Sequence, residues 1–322
     1  MGAEVGVRAG LNAGLNGGLN AGAGAGLGTD PGADPNPCPG TGWFGQLQLR
    51  YTSAQGRTRA WSCHQGPLRV LRALYPEGES VCHHVLVHPP GGVVGGDRLE
   101  VHAQLASGSH ALITTPGATR FYRSGGRTAT QAVRLEVAAG ARLEWLPLET
   151  IAHPGCEATN QVIAQLQPGA EMIGWDVLAL GLPHSGQGFA AGPGAAGGWF
   201  QQHLELPGVW LERGRIGAGD ALLQQSRLGW AGNTVMASLW FAGGQGLAAA
   251  RLSRLLELAR EAAQTHALAA TAGCTSPHAQ LLVLRVLSPG VEAALQLLQA
   301  VRAAWRLEAW GLPASTPRIW RL

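Results

Sequence analysis

Short runs in which apolar and polar residues alternate, separated by glycine or proline turns, constrain the fold of this chain more than any other feature. The apolar residues occupy every second position over 47–51, and the same period returns over 99–105 and 133–137. Such alternation is typical of strands with one buried face. Turn signals follow each run too soon for the helix of a βαβ crossover. We therefore predict a mainly β body with almost no helix over 43–240, although a sandwich, a barrel and a solenoid all satisfy this pattern.

The last quarter of the chain has helical periodicity instead. Apolar residues recur at helical spacing over 247–266 and again over 289–310, with polar residues on the opposite face. Ser288 and Pro289 supply an N-cap and a first-turn proline for the second helix. Between the helices, 280–287 has the composition of a buried strand. The sequence thus predicts two C-terminal amphipathic helices and a β body that extends to about residue 245. The apolar faces of the helices pack either on this body, which is the usual fate of such a helix, or on a partner.

Residues 1–40 differ from the rest of the chain in composition. They are near-repeats of Gly-Leu-Asn and Ala-Gly, followed by a stretch rich in proline, aspartate and asparagine. Because this segment has too little apolar mass to offset the entropy lost on ordering, we predict a disordered, low-complexity leader. The remaining residues, 41–322, are predicted to form one domain.

Charge and cysteine content exclude several classes of protein. The net charge is only +3 and 13% of the residues are charged, so the dense basic surface that nucleic acids require is missing. Every basic residue is arginine, which excludes a P-loop lysine and a Schiff-base lysine. The five cysteines lack disulfide or metal-knuckle spacing, and no apolar run suits a signal peptide or a membrane span. We expect a cytoplasmic protein that binds neither nucleic acid nor membrane.

The densest group of soft and borderline metal ligands is formed by Cys82, His83 and His88. In a strand, His83 and His84 point to opposite faces, so this neighbouring pair cannot chelate one ion unless the backbone bends. One exposed and one packed histidine is the plainer interpretation. The alternatives are a transient metal site with incomplete coordination, or a nickel or zinc storage protein, which would need a closed site.

No standard catalytic motif is present, and we predict no catalytic residue for a non-enzymatic chain. The glycine-rich run 88–97 lacks the Lys-Ser/Thr of a phosphate loop, and neither a GxSxG elbow nor an HExxH helix occurs. Glu144 and Glu149 could form an acid–base pair, which would suit a β-solenoid carbohydrate-active hydrolase. Structural hydrogen bonding is the other interpretation of these two carboxylates.

Several blocks of sequence carry a family resemblance. Among them are His-Pro-Pro-Gly-Gly followed by Gly-Gly-Asp, Thr-Pro-Gly-Ala-Thr-Arg-Phe-Tyr-Arg-Ser, Leu-Glu-Trp-Leu-Pro and a terminal Pro-Arg-Ile-Trp. In this order they resemble the successive signatures of the UreD (UreH) family of urease accessory proteins. The chain departs from the family pattern at Leu148, where glutamine is usual, and over 181–187. The blocks occupy 66–70, 74–78, 88–97, 115–124, 143–147, 174–176 and 317–320.

The resemblance implies a β-helix-like body, no enzymatic activity and a role in urease maturation. Members of this family bind UreF, which recruits the GTPase UreG, and the assembly docks on apo-urease so that nickel reaches the active site through a tunnel. Transient Ni²⁺ is then the relevant ligand, with no tightly bound cofactor. Oxygen side chains suit a conduit because they hold a divalent ion loosely. The candidate tunnel or interface residues are Glu77, Asp97, Thr115, Glu144, Glu149 and Asp176, with Cys82, His83 and His88 as weaker metal candidates.

Overall fold

The computed structural model describes residues 42–189 and 197–321. The predicted leader, 1–40, lies outside the described residues. In chain order the strands are β1 (Phe44–Ala54), β2 (Arg57–Gln65), β3 (Arg69–Val70), β4 (Val81–Val87), β5 (Arg98–Leu105), β6 (His110–Thr114), β7 (Thr119–Phe121), β8 (Ala129–Val137), β9 (Arg142–Leu146), β10 (Thr150–Ala152), β11 (Glu157–Leu166), β12 (Glu171–Leu182), β13 (Gln187–Gly188), β14 (Trp199–Leu206), β15 (Trp210–Gly217), β16 (Val235–Gly243), β17 (Ala272–His278) and β18 (Leu281–Ser288). The α-helices are α1 (Ala221–Gln225), α2 (Ala249–Gln264) and α3 (Val291–Trp310).

Two large sheets face each other. In the first sheet the order is β15-β14-β11-β8-β5-β1-β2, and the five central strands run parallel. In the second sheet β4, β6, β9 and β12 run parallel, and β16, β18 and β17 then add antiparallel strands. From β4 to β12 the longer strands alternate between the sheets along the chain, and the short strands β7 and β10 stack in parallel on a third side. The mainly β, solenoid-like fold implied by the family resemblance is confirmed.

The coils of the solenoid turn from the first sheet to the second through equivalent tight turns. Each turn is closed by a hydrogen bond from the backbone N–H of its fourth residue to the carbonyl of its first. The third residue of the turn is Gly108, Gly140 or Gly169, and each of these glycines has a positive φ. Glycine is needed because a side chain is strained in this type II conformation. Pro168 precedes Gly169, as in many such turns. The Gly-containing turn signals in the sequence therefore mark the corners of the solenoid.

Two hydrophobic cores share the second sheet. One fills the space between the sheets, and the other lies between the second sheet and helices α2 and α3. Strand β12 contributes Met172 and Leu178 to the first core and Ile173 and Trp175 to the second. A strand buried on both faces needs an almost continuous apolar sequence, which β12 has. Because the cores are joined through one sheet, we propose that 41–322 is a single domain.

Both predicted C-terminal helices are present: α2 is two residues shorter at each end than predicted, and α3 begins two residues later but ends at the predicted residue. Helix α3 begins at Val291 with Gly290 as its N-cap, because the Ser288 hydroxyl bonds to Gly290 rather than to the first helical turn. The predicted strand over 280–287 is β18. Helix α1 is an exception to the expected absence of helix in the β body, and its first turn is capped by Asp220, which accepts from the Leu223 N–H at 2.9 Å. None of the helices described is long and apolar enough to cross a membrane.

Candidate functional site

A ladder of amides lies inside the solenoid. Gln131, Asn160 and Gln202 occupy directly paired positions on the adjacent strands β8, β11 and β14. Their neighbours two residues away, such as Val133 and Val162, belong to the core between the sheets, so the three amides point inward. The Gln131 amide donates to Asn160 Oδ1 at 3.0 Å. Polar side chains inside a solenoid are costly unless they are hydrogen-bonded, and these are.

Asp176 faces this ladder from β12 of the second sheet. One carboxylate oxygen accepts from the Asn160 amide at 3.4 Å, and the other accepts from Gln202. Burial raises the pKa of Asp176 to about 6, the Gln202 hydrogen bond opposes that rise, and the nearby Glu212 charge adds to it. We call Gln131, Asn160, Asp176 and Gln202 the interior polar row. Its one carboxylate has no cationic partner among its hydrogen-bonding contacts, which are neutral amides.

Each residue of the Gly174-Trp175-Asp176 block has a different environment, which explains why that residue type is present. A Cβ atom on Gly174 would lie 2.4 Å from the indole of Trp240, so glycine lets that ring pack against β12. Trp175 points the other way, into the core beneath the helices, and donates its indole N–H to the Pro147 carbonyl at 2.6 Å. The side chain of Asp176 points back into the space between the two sheets. Together the three residues place one carboxylate within the solenoid.

The interior polar row joins two surface cavities. Gln131 lines a cavity of about 210 Å³ together with His88, Thr115, Trp145 and other residues. That volume is enough for several water molecules. Gln202, at the other end of the row, lines an open cleft. A continuous chain of hydrogen bonds thus runs inside the solenoid from this cavity to the cleft.

A second set of buried polar groups lies on the opposite face of the second sheet, beneath α3. Glu144 is fully buried, and its carboxylate is within 2.6 Å of Arg302 Nη2 and 3.1 Å of Arg306 Nε. Burial by itself would raise the pKa of Glu144, but the Arg302 charge, a 3.2 Å contact with His110 and the Arg306 charge lower it to about 2. Glu77 joins this set through Arg306, at 2.6 Å. We call these five residues the buried charge network.

Glu77 and Glu144 both belong to the buried charge network and not to the interior polar row. Glu77 also contacts His83 Nε2 at 2.6 Å, and its pKa is lowered because hydrogen bonds from His83 and Arg306 outweigh the effect of burial. Arginine and histidine therefore occupy the oxygens of both glutamates. This arrangement favours a structural role over the tunnel role that we predicted for them.

The other predicted tunnel residues lie in different places. Asp176 is in the interior polar row. Thr115 lines the 210 Å³ cavity, but its hydroxyl is engaged by the Leu148 N–H and the Gly117 carbonyl, both at 2.9 Å. Asp97 accepts the N–H groups of Trp43 and Val94 in a turn, and Glu149 lines a separate cleft. The six predicted residues thus do not form one continuous path.

The weaker metal candidates, Cys82, His83 and His88, lie in three different environments. His83 points toward α3 and Glu77, whereas its neighbour His84 points inward, 2.8 Å from the hydroxyl of Tyr51. The two histidines therefore lie on opposite faces, as predicted, but neither is exposed, because Glu77, which Arg306 of α3 holds, covers His83. Burial raises the pKa of the Cys82 thiol to about 11, which disfavours the thiolate that binds metal. His88 lines the 210 Å³ cavity.

These placements bear on the alternative functions. Cys82, His83 and His88 do not converge, which does not fit a closed storage site. Within residues 42–189 and 197–321, no three His, Cys, Asp or Glu side chains are grouped to hold a metal ion. The hydrolase alternative is wrong, because Glu144 is completely buried under α3 and is held by two arginines, so no saccharide can reach it.

Sequence reasoning missed the three amides of the interior polar row. The signal was present as a polar residue at an inward position of an otherwise regular alternation, for example Asn160 between Ala158 and Val162. It was not decisive, because only the register shows that Gln131, Asn160 and Gln202 are side by side. The arginines of the buried charge network were missed because they occur on an amphipathic helix, where exposure is the usual expectation.

Comparisons with known proteins agree on one family. The sequence model of the UreD urease accessory protein family matches residues 44–321. Relatives named urease accessory protein UreD, and so named as accessory proteins rather than enzymes, are similar over 99% of their length. They come from Variovorax paradoxus (strain S110), 56% identical over 278 residues and 86% of this chain; Leptothrix cholodnii (strain ATCC 51168 / LMG 8142 / SP-6), 58% over 281 residues and 87%; and Paracidovorax citrulli (strain AAC00-1), 54% over 280 residues and 87%.

Proposed function

Because the chain belongs to the UreD family of urease accessory proteins, we propose that it is a non-catalytic scaffold through which nickel passes into apo-urease. The observation that carries the conduit is the interior polar row, which joins the 210 Å³ cavity to the cleft on the other side of the solenoid. An ion crossing a β protein needs such a row, since an apolar interior offers nothing to replace its water.

The chemistry of the row suits passage rather than retention. Conduction requires binding that is strong enough for the ion to enter and weak enough for it to leave. The row offers one carboxylate, Asp176, and three amides whose oxygens can turn toward a cation. Neutral oxygen ligands hold a borderline ion such as Ni²⁺ less tightly than thiolate or imidazole does. Nickel is therefore the transported species and not a resident cofactor.

The partners and the compartment follow from this role. We propose that the chain binds UreF, that UreF brings UreG, and that the assembly docks on the apo-urease subunits in the cytoplasm. The free thiols of Cys63, Cys82, Cys156 and Cys274 suit a reducing compartment. Exposed side chains such as Trp43, Phe44 and Val94 near one cleft provide apolar area for such contacts.

The experiment that tests this function is the nickel content of urease, per active site, in cells that lack this gene. We expect urease protein to accumulate without metal, and nickel to return when the wild-type gene is restored. Restoration with Asp176→Asn is expected to give markedly less nickel, because the row loses its only carboxylate. Unchanged nickel loading in the deletion strain would overturn the maturation role itself.

A matched control separates the conduit from the scaffold. Glu308→Gln also removes one carboxylate, but at the surface of α3, where Arg254 is 3.8 Å away. We expect this variant to load nickel as the wild type does. If both variants load urease normally, the chain still supports maturation but the interior polar row is not the path. If both fail equally, loss of a charge rather than its position explains the defect.

A further inference from the structure

The cleft at the Gln202 end of the interior polar row contains an ion pair between the two sheets. Arg285 of β18 contacts Glu212 of β15 through its Nη2 atom. The side chain of Arg285 is about half exposed, whereas that of Glu212 is mostly buried. Since β15 is an edge strand of the first sheet and β18 belongs to the second, this pair bridges the mouth of the solenoid. Gln202 lies directly behind it in the same cleft.

Strand register links this ion pair to Asp176. Asp176, Ser238 and Arg285 are paired positions on the neighbouring strands β12, β16 and β18. The Arg285 Nε atom lies 3.5 Å from the Ser238 hydroxyl. Gln202 hydrogen-bonds to Asp176 and lines the cleft together with Glu212, so Asp176 lies behind the ion pair. The charge of Glu212 also contributes to the raised pKa of Asp176. An Arg guanidinium therefore stands beside Glu212 at this end of the row, two strands from Asp176 in register.

We propose that Arg285 is a tethered cation that closes this mouth of the row to divalent ions, and that Asp176 and Glu212 receive the ion once the Arg285 contact is broken. This inference rests on the proposed passage of nickel through the row. An arginine side chain stays charged at any physiological pH, so it repels a divalent cation whenever it occupies the mouth. It also neutralises Glu212, whose carboxylate would otherwise attract the ion.

The other arginines of the cleft do not have this geometry. Arg213 follows Glu212 on β15, so its side chain lies on the opposite face of that strand. Arg215 lies over the ring of Trp199, 3.8 Å from its centroid. Arg213 carries the same charge next to Glu212 in the chain, but on the other face of β15 and without the bridge between the sheets. It is therefore the matched control for Arg285.

The test is equilibrium dialysis of Ni²⁺ against the full-length chain at about pH 8, well above the pKa of about 6 for Asp176. We expect Arg285→Gln to bind Ni²⁺ more tightly than the wild type, on the order of tenfold, because a charge beside the site is removed. Arg213→Gln should stay close to the wild type. Arg285→Lys, which keeps the charge, should also stay close to it. Adding Asp176→Asn or Glu212→Gln to Arg285→Gln should abolish the gain.

Two outcomes would overturn the inference. One is equal tightening in Arg285→Gln and Arg213→Gln, which would mean that only net charge matters. The other is no tightening in a folded Arg285→Gln chain. If circular dichroism shows that Arg285→Gln does not fold, Arg285→Met, which preserves much of the side-chain length, takes its place. Failure of this proposal is separate from failure of the maturation role, because the latter is judged by nickel in urease after restoration of the wild-type gene.

Discussion

Two carboxylates of the second sheet, Glu144 and Asp176, are both buried but have opposite surroundings. Glu144 points toward α3 and is held by Arg302 and Arg306. Asp176 points into the solenoid, where its hydrogen bonds come from neutral amides. Their pKa values move in opposite directions, to about 2 for Glu144 and to about 6 for Asp176. The partners thus decide what a buried carboxylate can do.

The difference separates a structural site from an exchangeable one. An acid held by buried arginines is committed to them, since an ion that displaced Arg302 from Glu144 would leave a buried positive charge without its carboxylate partner. An acid held by amides keeps a charge that only weak dipoles satisfy, which is the usual condition of functional groups. On this basis Asp176, rather than Glu144, is the carboxylate that can meet a passing ion.

The largest expected effect is the loss of stability when the committed carboxylate is removed. Glu144→Ala leaves Arg302 buried without its carboxylate partner and Arg306 with Glu77 alone, so we expect the free energy of unfolding to fall by about 3–5 kcal/mol. Urea denaturation of the purified chain measures this change. Glu308→Ala is the control, because Glu308 lies on the exposed side of α3, the helix that carries both arginines. This variant should lose less than about 1 kcal/mol of unfolding free energy. Similar losses in the two variants would contradict the assigned role of the network.

The second prediction is a gain of stability at the exchangeable carboxylate. The pKa of Asp176 is raised from 3.8 to about 6, so ionising it at neutral pH opposes folding. Asp176→Asn removes this charge; its amide oxygen still accepts one of the two hydrogen bonds, and the Gln202 amide can turn its own oxygen toward the new NH₂ group. We expect the free energy of unfolding at pH 7 to rise by up to ~3 kcal/mol. Urea denaturation again provides the value. A clear loss of stability would mean that Asp176 is a committed group like Glu144.

The pH dependence of this gain is the third prediction. Because the folded pKa of Asp176 is raised, the folded chain binds the extra proton between 3.8 and about 6, and the wild type loses stability as pH rises through this window. The advantage of Asp176→Asn should therefore be small near pH 4 and complete above about pH 6 to 7. Glu144 has the opposite sign, with stability lost as pH falls from 4.5 toward about 2. Denaturation curves at a series of pH values test both signs.

The strand-rich body and the C-terminal helices were accessible from sequence because they depend on local periodicity. Alternation over 133–137 marks a strand, and the helical stripe over 289–310 marks α3, whichever elements they pack against. The solenoid arrangement was not accessible from periodicity, since alternation fixes faces and not the order of strands. It came from the resemblance of ordered blocks.

The candidate site was harder to predict because it depends on which face each residue occupies. Glu144 and Asp176 both stand beside tryptophan in their strands, and nothing local distinguishes them. Their partners are distant in the chain, with Arg302 158 residues from Glu144 and Gln202 26 residues from Asp176. Such pairings are set by strand register and helix packing, so the sequence identified buried acids without assigning their partners.

The smallest expected effect concerns the C-terminal segment that the buried charge network holds in place. Arg302 and Arg306 also donate to the carbonyls of Ser315 and Pro313, at 2.8 and 2.9 Å, and so hold the segment that ends near Trp320. The Trp320 indole donates to Thr114 Oγ1 at 2.8 Å. Trp320→Phe removes this one bond, and we expect a loss of about 1 kcal/mol by urea denaturation.

Nickel loading by the Trp320→Phe variant tests whether the two faces of the second sheet, one with Glu144 and one with Asp176, are independent. The Trp320 ring packs on Trp175, 5.1 Å between centroids, and Trp175 is the residue next to Asp176 in β12. Adjacent residues of a strand point to opposite faces, so the change should reach the helix side of the sheet and leave the interior polar row intact. Urease restored with Trp320→Phe should therefore contain normal nickel. Reduced nickel at this modest loss of stability would show that the sheet couples its two faces, and that the committed and exchangeable carboxylates are not independent.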